Sequence, residues 1–301
     1  MKNMLSLMDW SRAELLDVLD LAEEMREKIS SEFKGKSVVT LYEKPSTRTR
    51  VSFEAGIVEM GGHPMYIDAS TTQLSRGESV KDMALVLDRY VEMFVARVYK
   101  HEFLEEYAKW SKKPVINALS DRFHPCQALA DVLTIIRKKK GKVKVAFIGD
   151  GNNNVTHSLM LASSLLGFDM AVGCPKELTP DQEVVEKAAK NHQENGGSLT
   201  ITNDPEEAAK DADVIYADVW VSMGNTDREK RLEILKPYQV NESLVSRAKP
   251  DYIFMHCLPA HIGEEVTKKV IYSKNSVVFD QAENRLHAQK GLMKYLAGQK
   301  G

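Results

Sequence analysis

The chain has 301 residues, of which 43% are hydrophobic and 28% charged, and its formal net charge is −2. Three cysteines form no disulfide framework and favour a reducing, cytoplasmic setting, while no apolar run approaches the roughly 18 residues of a membrane span. The composition therefore excludes a disulfide-stapled secreted scaffold, a membrane protein and a disordered chain, and the near balance of 41 basic and 43 acidic residues gives no overall attraction to nucleic acid.

The predicted elements of the first part alternate between helices and short apolar strands. Ser11 and Glu14 have the spacing of a capping box and begin the first helix, and a second helix begins near Ser46. A third helix is predicted from an apolar stripe at helical spacing, formed by Met83, Val86, Leu87 and Tyr90. Strands are predicted at residues 38–42, 65–67, 93–98 and 115–116.

The second part repeats this alternation after a long apolar helix at residues 128–136. The basic run 137–142 is interpreted as the solvated end of that helix, because cations are favourable at a helix C-terminus. Strands are predicted at residues 143–148, 170–172, 199–202, 214–217, 252–255 and 277–279, and a terminal helix at 286–296. The alternation predicts the α/β class, with two doubly wound parallel-sheet domains that carry helices on both faces. The domains are placed at residues 1–138 plus the terminal segment 286–301, and at residues 139–285.

The segment at residues 44–54 lies between a strand and a helix and is the first candidate site. Its hydroxyl side chains Ser46, Thr47 and Thr49 alternate with Arg48 and Arg50. Free N–H groups at a helix N-terminus favour an anion, and guanidinium groups match phosphate oxygens in pairs. A helix cap needs only one hydroxyl, so the pattern favours a phosphate site over a capped helix with exposed arginines.

Two further motifs stand before helices. In His-Pro-Cys-Gln, His124 and Gln127 have the spacing to address one ligand, the histidine a carbonyl oxygen and the glutamine an amide, although a histidine beside proline is often structural. The turn 149–154 resembles a dinucleotide fingerprint, but Asn154 replaces its third glycine and no acidic residue ends the next strand. Asparagines in this turn would suit the carboxylate and ammonium groups of an amino acid.

The remaining motifs follow predicted strands. Asp218 precedes Trp-Val-Ser-Met-Gly and would hold a cation, although an ordinary surface loop is an even alternative. His-Cys-Leu-Pro-Ala-His at 256–261 offers three readings: a metal site of His256, Cys257 and His261, a cysteine–histidine nucleophile, or a buried structural turn. Adjacent strand residues point to opposite faces, which argues against a direct pair of His256 and Cys257. Arg285 would add a phosphate contact or a surface ion pair.

Taken in order, these motifs resemble the ornithine carbamoyltransferases of the aspartate/ornithine carbamoyltransferase superfamily along the whole chain. They are Ser-Thr-Arg-Thr-Arg at 46–50, Gln73 before Ser-Arg-Gly-Glu-Ser, Arg97, His-Pro-Cys-Gln, the Asn-rich turn, Asp218 with Ser-Met-Gly, His-Cys-Leu-Pro and Arg285. The aspartate branch shares the first motif and His-Pro-x-Gln, whereas Ser-Met-Gly and His-Cys-Leu-Pro belong to the ornithine branch.

The resemblance implies transfer of the carbamoyl group of carbamoyl phosphate to the side-chain amine of L-ornithine, which gives L-citrulline and phosphate in arginine metabolism. The residues it implies for carbamoyl phosphate are Ser46, Thr47, Arg48, Thr49, Gln73, Arg97, His124, Gln127, Cys257, Leu258 and Arg285. Those it implies for ornithine are Asn154, Asp218, Ser222 and Met223, with Asn153 as the alternative to Asn154. It further implies no metal or organic cofactor, and a homotrimer in which Gln73 reaches a neighbouring subunit's site.

In the chemistry that the resemblance implies, Cys257 accepts the amine's proton with Asp218 nearby, while Arg97 and His124 stabilise the developing oxyanion. Residues 1–138 would bind carbamoyl phosphate and residues 139–285 ornithine, and domain closure would exclude water. Within the superfamily the alternative acceptors are putrescine, N-acylated ornithine and aspartate. Outside it, the alternatives are an NAD-dependent Rossmann enzyme and an amino-acid-binding protein without catalysis.

Overall fold

A computed structural model describes residues 1–221 and 227–299. The predicted site residues Ser222 and Met223 lie outside these described residues. The chain forms two compact units: unit 1 comprises Met1–Ala130 and the residues from Glu283 onward, and unit 2 comprises Asp131–Ala282. In the described ranges, no helix is both long enough and apolar enough to cross a membrane.

The regular elements alternate along the chain as predicted. The strands are β1 (Ser37–Tyr42), β2 (His63–Asp68), β3 (Met93–Arg97), β4 (Val115–Leu119), β5 (Lys144–Ile148), β6 (Asp169–Gly173), β7 (Ser198–Thr202), β8 (Val214–Ala217) and β9 (Ile253–His256). The helices are α1 (Arg12–Glu24), α2 (Thr47–Glu59), α3 (Val80–Leu87), α4 (His101–Trp110), α5 (Pro125–Lys138), α6 (Asn154–Leu166), α7 (Gln182–Asn195), α8 (Pro205–Ala209), α9 (Arg228–Leu235), α10 (Glu242–Val245), α11 (Lys268–Ile271) and α12 (Val278–Gly298).

Each unit is built on a parallel sheet whose strand order reverses once. In unit 1 the order is β2-β1-β3-β4, and in unit 2 it is β7-β6-β5-β8-β9. Because parallel crossovers are right-handed, a reversal of direction places helices on both faces of a sheet. The predicted fold class is therefore confirmed. The reversals lie between β1 and β3 and between β5 and β8, and ligands of such sheets bind beyond the strand ends at these points.

The central strands form where the sequence is largely apolar, because a parallel sheet is covered on both faces there, whereas the edge strands β2 and β7 contain no buried residue. All residues of β8 and β9 are buried, as are all residues of β1 except the first. The candidate site residues Lys44, Asp218 and Cys257 follow β1, β8 and β9, where backbone groups are not paired in the sheet. The fold thus brings the chemically active motifs to the carboxyl ends of its central strands.

Two predictions about elements are wrong. The predicted strand 277–279 is instead the entry to α12: Ser276 forms a single bridge with Phe254, and the helix begins two residues later at Val278. The apolar stripe of α3 is also shorter than expected. Met83 is buried, but Val86 is 44% exposed and Tyr90, which follows the helix, is 69% exposed. An apolar stripe indicates a helix face whose burial is favourable, but it does not show that another part of the same chain buries that face.

Candidate active site

The motif at residues 46–50 forms the start of α2, and the helical geometry points some of its side chains into the protein and others toward solvent. The buried residues of α2 include Thr49, Phe53 and Gly56, which lie on one face at helical spacing. Arg48 and Arg50 flank that face and are exposed. Ser46 is the N-cap residue, yet its side chain makes no capping hydrogen bond, and the first turn contains no acidic residue. The first N–H groups of this helix are therefore not capped by Ser46, and together with its hydroxyl they suit an anion at the positive end of the helix.

The two arginines of this motif are not equivalent. The Arg50 guanidinium lies 3.7 Å from the ring centre of Tyr66, and its Nε donates to Glu54 at 2.8 Å. Arg50 is therefore engaged in contacts on the helix surface. Arg48 is the arginine of the pair that remains suited to an anion.

Arg285 joins motifs that are distant in sequence. Its Nη1 donates to Oε1 of Gln127 at 2.8 Å, and its Nη2 donates to Oγ1 of Thr49 at 3.2 Å. All three side chains are buried. The alternative of a surface ion pair for Arg285 is thereby wrong, and the structure brings the first motif, the His-Pro-Cys-Gln motif and the terminal helix together within unit 1.

His124 lies in the field of this cationic cluster. Burial lowers its pKa well below the ordinary value, and Arg285, Arg97 and Lys44 lower it further. His124 is consequently a neutral imidazole at physiological pH and acts as a hydrogen-bonding group rather than as a cation. Arg97 ends β3, one strand away from the residues that follow β1, so the cluster occupies the strand ends at the reversal point.

Lys44 is a member of the cluster that motif reasoning did not single out. Its side chain is buried, and Nζ lies 4.6 Å from the ring centre of Tyr99. Burial lowers the pKa of Lys44, and Arg97 lowers it further. Its position at the start of the first motif, directly after β1, was the available signal. Gln73, by contrast, is exposed on the short 3-10 helix Gln73–Arg76.

In unit 2, Asp218 accepts hydrogen bonds from two predicted site motifs. Cys257 Sγ donates to Oδ1 of Asp218 at 2.9 Å, and Nδ2 of Asn153 approaches Oδ2 at 3.4 Å. The carbonyl oxygen of the Asn153 side chain caps α6 by accepting from the N–H groups of Val155 and Thr156, both at 2.8 Å. Burial raises the pKa of Asp218. The carboxyl group can therefore hold a proton at a higher pH than an exposed aspartate would.

The glycine-rich turn after β5 does not leave room for a pyrophosphate at Gly151. A Cβ at Gly151 would lie 2.6 Å from the carbonyl oxygen of Leu178 and 2.8 Å from Sγ of Cys174. In a dinucleotide fingerprint the second glycine admits the pyrophosphate to the backbone. Here the corresponding space is filled by the protein, and this packing argues against the dinucleotide alternative.

Sequence reasoning also missed an ion pair that braces this half of the site. Arg231 Nη2 donates to Oδ2 of Asp150, and its Nε donates to the carbonyl oxygen of Trp220 at 3.1 Å. The side chains of Arg231 and Asp150 are 10% and 2% exposed. Burial raises the pKa of Asp150 to about 6, and Arg231 opposes part of that rise. The only sequence signal is that Arg231 falls on the buried stripe of α9 with Leu235.

The three residues considered for a metal site, His256, Cys257 and His261, fall into two separate groups of potential ligands. Asp218, His256 and Cys257 place potential ligand atoms within 4.8 Å of one another, and so do His261, Glu264 and Glu265. His256 Nδ1 lies 2.9 Å from the N–H of Leu258, and Nε2 lies 3.1 Å from Oε1 of Glu265. Metal binding by His256 would therefore require the loss of one of these hydrogen bonds, and His261 does not join His256 and Cys257 in one group.

Comparison with known proteins gives a consistent result over the whole chain. The family model described as aspartate/ornithine carbamoyltransferase, carbamoyl-P binding domain, matches residues 2–137, and the model described as the Asp/Orn binding domain matches residues 141–296. The ornithine carbamoyltransferase of Thermococcus kodakarensis is 52% identical, over 99% of this chain and 96% of that protein. The anabolic ornithine carbamoyltransferase of Pyrococcus furiosus is 51% identical over the same shares. A solved ornithine carbamoyltransferase structure from Pyrococcus furiosus has a TM-score of 0.95 at 50% identity, covering 100% of this chain and 98% of that one.

Proposed function

The chain belongs to the aspartate/ornithine carbamoyltransferase family, and on this premise we propose how its residues carry out the reaction. It transfers the carbamoyl group of carbamoyl phosphate to the side-chain amine of L-ornithine, giving L-citrulline and phosphate. One observation carries the roles proposed below. In unit 1 a cationic cluster lies at the strand ends where the order reverses between β1 and β3, and in unit 2 Asp218, which accepts from Cys257, follows β8 at the reversal beside β5.

The phosphate of carbamoyl phosphate is proposed to bind at the α2 N-terminus. Ser46, Thr47 and Thr49 offer hydroxyl and N–H donors, and Arg48 adds a guanidinium on the exposed side of the same turn. Arg97, His124 and Gln127 are proposed for the carbamoyl group, and Arg285 holds Gln127 and Thr49 in place through the hydrogen bonds described above. Gln73 stays a proposed contact to a neighbouring subunit.

L-Ornithine is proposed to bind to Asp218 and Asn154, with Ser222 and Met223 as further contacts that lie outside the described residues. The hydrogen bonds of Asn153 support this choice, because its side-chain oxygen caps α6 and its amide approaches Asp218. Asn154 is half-buried at the first turn of α6. Asn154→Ala is expected to raise the KM for L-ornithine. Asn153→Ala is expected to raise this KM less and to lower the stability of unit 2. The reverse ranking of the two KM values would make Asn153 the principal contact.

The chemistry requires one proton to leave the ornithine side-chain ammonium before the nitrogen can attack. An amine of this type has a pKa of about 10.4 and is protonated at neutral pH. The Cys257–Asp218 pair is the proposed acceptor, since burial raises the pKa of the Asp218 carboxyl and its Oδ1 already receives the thiol hydrogen bond. The amine nitrogen then bonds to the carbamoyl carbon, the carbon–oxygen bond to phosphate breaks, and the second amine proton leaves with phosphate.

The carbonyl oxygen of the carbamoyl group gains negative charge during this attack. Arg97 and the neutral His124 are proposed to stabilise it, which is the role of an oxyanion hole. The amine nitrogen must attack the carbamoyl carbon directly. Residues proposed to act on the amine must therefore also lie close to the carbamoyl group during the reaction. On this chemical ground, Cys257 and Leu258 are also proposed to contact the carbamoyl group.

A substrate panel tests the acceptor. The protein is incubated with carbamoyl phosphate and, in separate reactions, L-ornithine, putrescine, N-acetyl-L-ornithine or L-aspartate, and the ureido product and phosphate are measured. L-Citrulline and an equal amount of phosphate are expected with L-ornithine. A higher kcat/KM with another amine would reassign the acceptor. Phosphate release without a ureido product would contradict transfer, and binding of NAD in a titration would revive the dinucleotide alternative.

The assembly and cellular setting are further proposals. Large apolar side chains of unit 1 are exposed, including Val51, Val58, Leu85 and Val86. A homotrimer interface would bury this apolar surface. Sedimentation equilibrium is expected to give three times the mass of one chain. Arginine biosynthesis in the cytoplasm is supported by the likeness to the anabolic Pyrococcus furiosus enzyme and by three free cysteines. Expression should then allow a bacterium that lacks this activity to grow without arginine.

A further inference from the structure

We propose that His256 and Glu265 are positioning residues that fix the backbone of Cys257 and Leu258 for catalysis. This inference rests on the proposed function, since it concerns the same reaction. Its starting observation is that Leu258 has a φ of +57°, in the left-handed region that L-residues with a side chain rarely adopt. A leucine in this conformation persists where surrounding contacts hold it, and such positions cluster at functional sites.

The contact that holds Leu258 comes from the histidine two residues earlier. His256 Nδ1 lies 2.9 Å from the backbone nitrogen of Leu258, whose N–H can only donate. Nδ1 must therefore be the acceptor, and it carries no proton. The ring proton is assigned on this basis to Nε2, which donates to Oε1 of Glu265 at 3.1 Å. The partners of His256 thus select one tautomer of a neutral imidazole.

Both residues are fully buried, with 0% of each exposed, and both are anchored on further sides. Glu265 Oε1 also accepts the backbone N–H of His261 at 2.5 Å, which closes the loop between the two residues. The backbone N–H of His256 donates to Gln281 at 2.9 Å. Gln281 in turn donates to Asp131 at 2.7 Å. The imidazole is held between the loop it supports and a buried polar network of unit 2.

The geometry links this arrangement to the chemistry through Cys257, which lies between His256 and Leu258. The thiol reaches Asp218 at 2.9 Å, so the direction of the Cys257 side chain depends on the backbone that the histidine fixes. Relaxation of Leu258 to an ordinary conformation would turn the adjacent peptide and displace both the thiol and the Leu258 carbonyl. Misplacement of a reacting group by about 1 Å can lower a rate about 100-fold. His256 and Glu265 therefore act on kcat without touching substrate.

Two substitutions of His256 separate its two hydrogen bonds. In His256→Asn the amide oxygen sits at the position of Nδ1 and can accept from Leu258, whereas in His256→Gln the terminal amide reaches the position of Nε2 and Glu265. We expect His256→Asn to keep kcat within about tenfold of the wild type and His256→Gln to lose about 100-fold, with both KM values changed far less. Glu265→Gln, which keeps an acceptor for Nε2, should lose less kcat than Glu265→Leu.

The control is Val270→Ala, which removes buried apolar volume from α11 without touching the network. It should lower stability by an amount similar to the histidine variants and leave kcat unchanged. Nitrogen NMR of labelled wild-type protein gives a readout that does not depend on activity: His256 should show an unprotonated Nδ1 and a protonated Nε2. A protonated Nδ1, equal kcat for His256→Asn and His256→Gln, or a loss of kcat that only follows stability would overturn the proposal. An inactive wild-type enzyme with the expected NMR signature would instead contradict the proposed function.

Discussion

Arg231 and Arg228 lie one turn apart on α9 and give a matched test of how the amino-acid half of the site is held. Each pairs with a carboxylate: Arg231 with Asp150, where the side chains are 10% and 2% exposed, and Arg228 with Glu264, where they are 52% and 27% exposed. Replacement of either arginine by methionine keeps an apolar stem and removes the guanidinium. The two variants therefore differ mainly in the burial of the pair that is broken.

Burial sets the expected magnitudes. Removing one partner of a buried pair costs about 3–5 kcal/mol, because the remaining charge is left uncompensated. Arg231→Met also removes the hydrogen bond to the Trp220 carbonyl, so we expect a loss near the upper end of that range. An exposed pair contributes about 0–1 kcal/mol, and Arg228→Met should lose no more than that.

The pH dependence has a definite sign. Burial already raises the pKa of Asp150 to about 6, and loss of Arg231 removes the group that opposes this rise. The folded Arg231→Met variant therefore binds a proton at Asp150 up to a higher pH than the folded wild type. Since the unfolded chains titrate alike, the stability gap between the two proteins must widen as the pH rises from 5 to 8.

Hydrogen exchange on peptides of unit 2 measures these free energies without assuming that both units unfold together. In steady-state kinetics, Arg231→Met should raise the KM for L-ornithine, because Asp150 and Trp220 flank Asn153 and Asp218 in the sequence. The KM for carbamoyl phosphate should stay unchanged. Equal stability losses for the two methionine variants, or a gap that is constant from pH 5 to pH 8, would refute the reasoning.

Three further predictions concern the proposed contacts. Arg48→Ala should raise the KM for carbamoyl phosphate about tenfold to a hundredfold, since a charged hydrogen bond is worth about 1.5–3 kcal/mol. Arg50→Ala should leave this KM unchanged, and equal effects of the two substitutions would remove Arg48 from the phosphate site. Cys257→Ser should lower kcat by about 10²–10⁴ with little change in unfolding, and a wild-type rate would exclude a proton-transfer role. His124→Ala should lower kcat about 10²–10³-fold, by the same factor at pH 7 and at pH 8, because burial and the neighbouring cations lower the pKa of His124 well below its ordinary value. An effect confined to the lower pH would show that a protonated His124 matters.

Local sequence patterns predicted the fold well because they report burial and backbone geometry within a few residues. The uninterrupted apolar runs of β8 and β9 predicted strands that are covered on both faces, and they are. The same reasoning failed at residues 277–279, where apolar and β-branched residues suggested a strand. The competing helical pattern of α12 extends back to Val278, and a long helix with buried contacts overrides the strand preference of a few residues.

The candidate site shows the same division. Motifs placed Thr49 at the start of a helix that follows a strand, and Asp218 and Cys257 directly after strands, because polar residues that follow buried strands stand at the edge of a sheet. No local pattern could identify Arg231 as the partner of Asp150, or Glu265 as the partner of His256, since each pairing depends on how separate elements pack. Lys44 was visible in the first motif, but only its burial beside Arg97 distinguishes it from an ordinary surface lysine.

Composition and charge pointed by themselves to a chain without an overall electrostatic preference, and the alternation of apolar patterns pointed to two domains with parallel sheets. The tertiary structure decided where the charge of this nearly neutral chain is concentrated. It gathers Lys44, Arg97 and Arg285 around the neutral His124 in unit 1, and it turns one of three cysteines toward Asp218 in unit 2. Sequence patterns report interactions between near neighbours, whereas strand order and helix docking select the distant partners. The chemistry of this chain arises from those distant pairings.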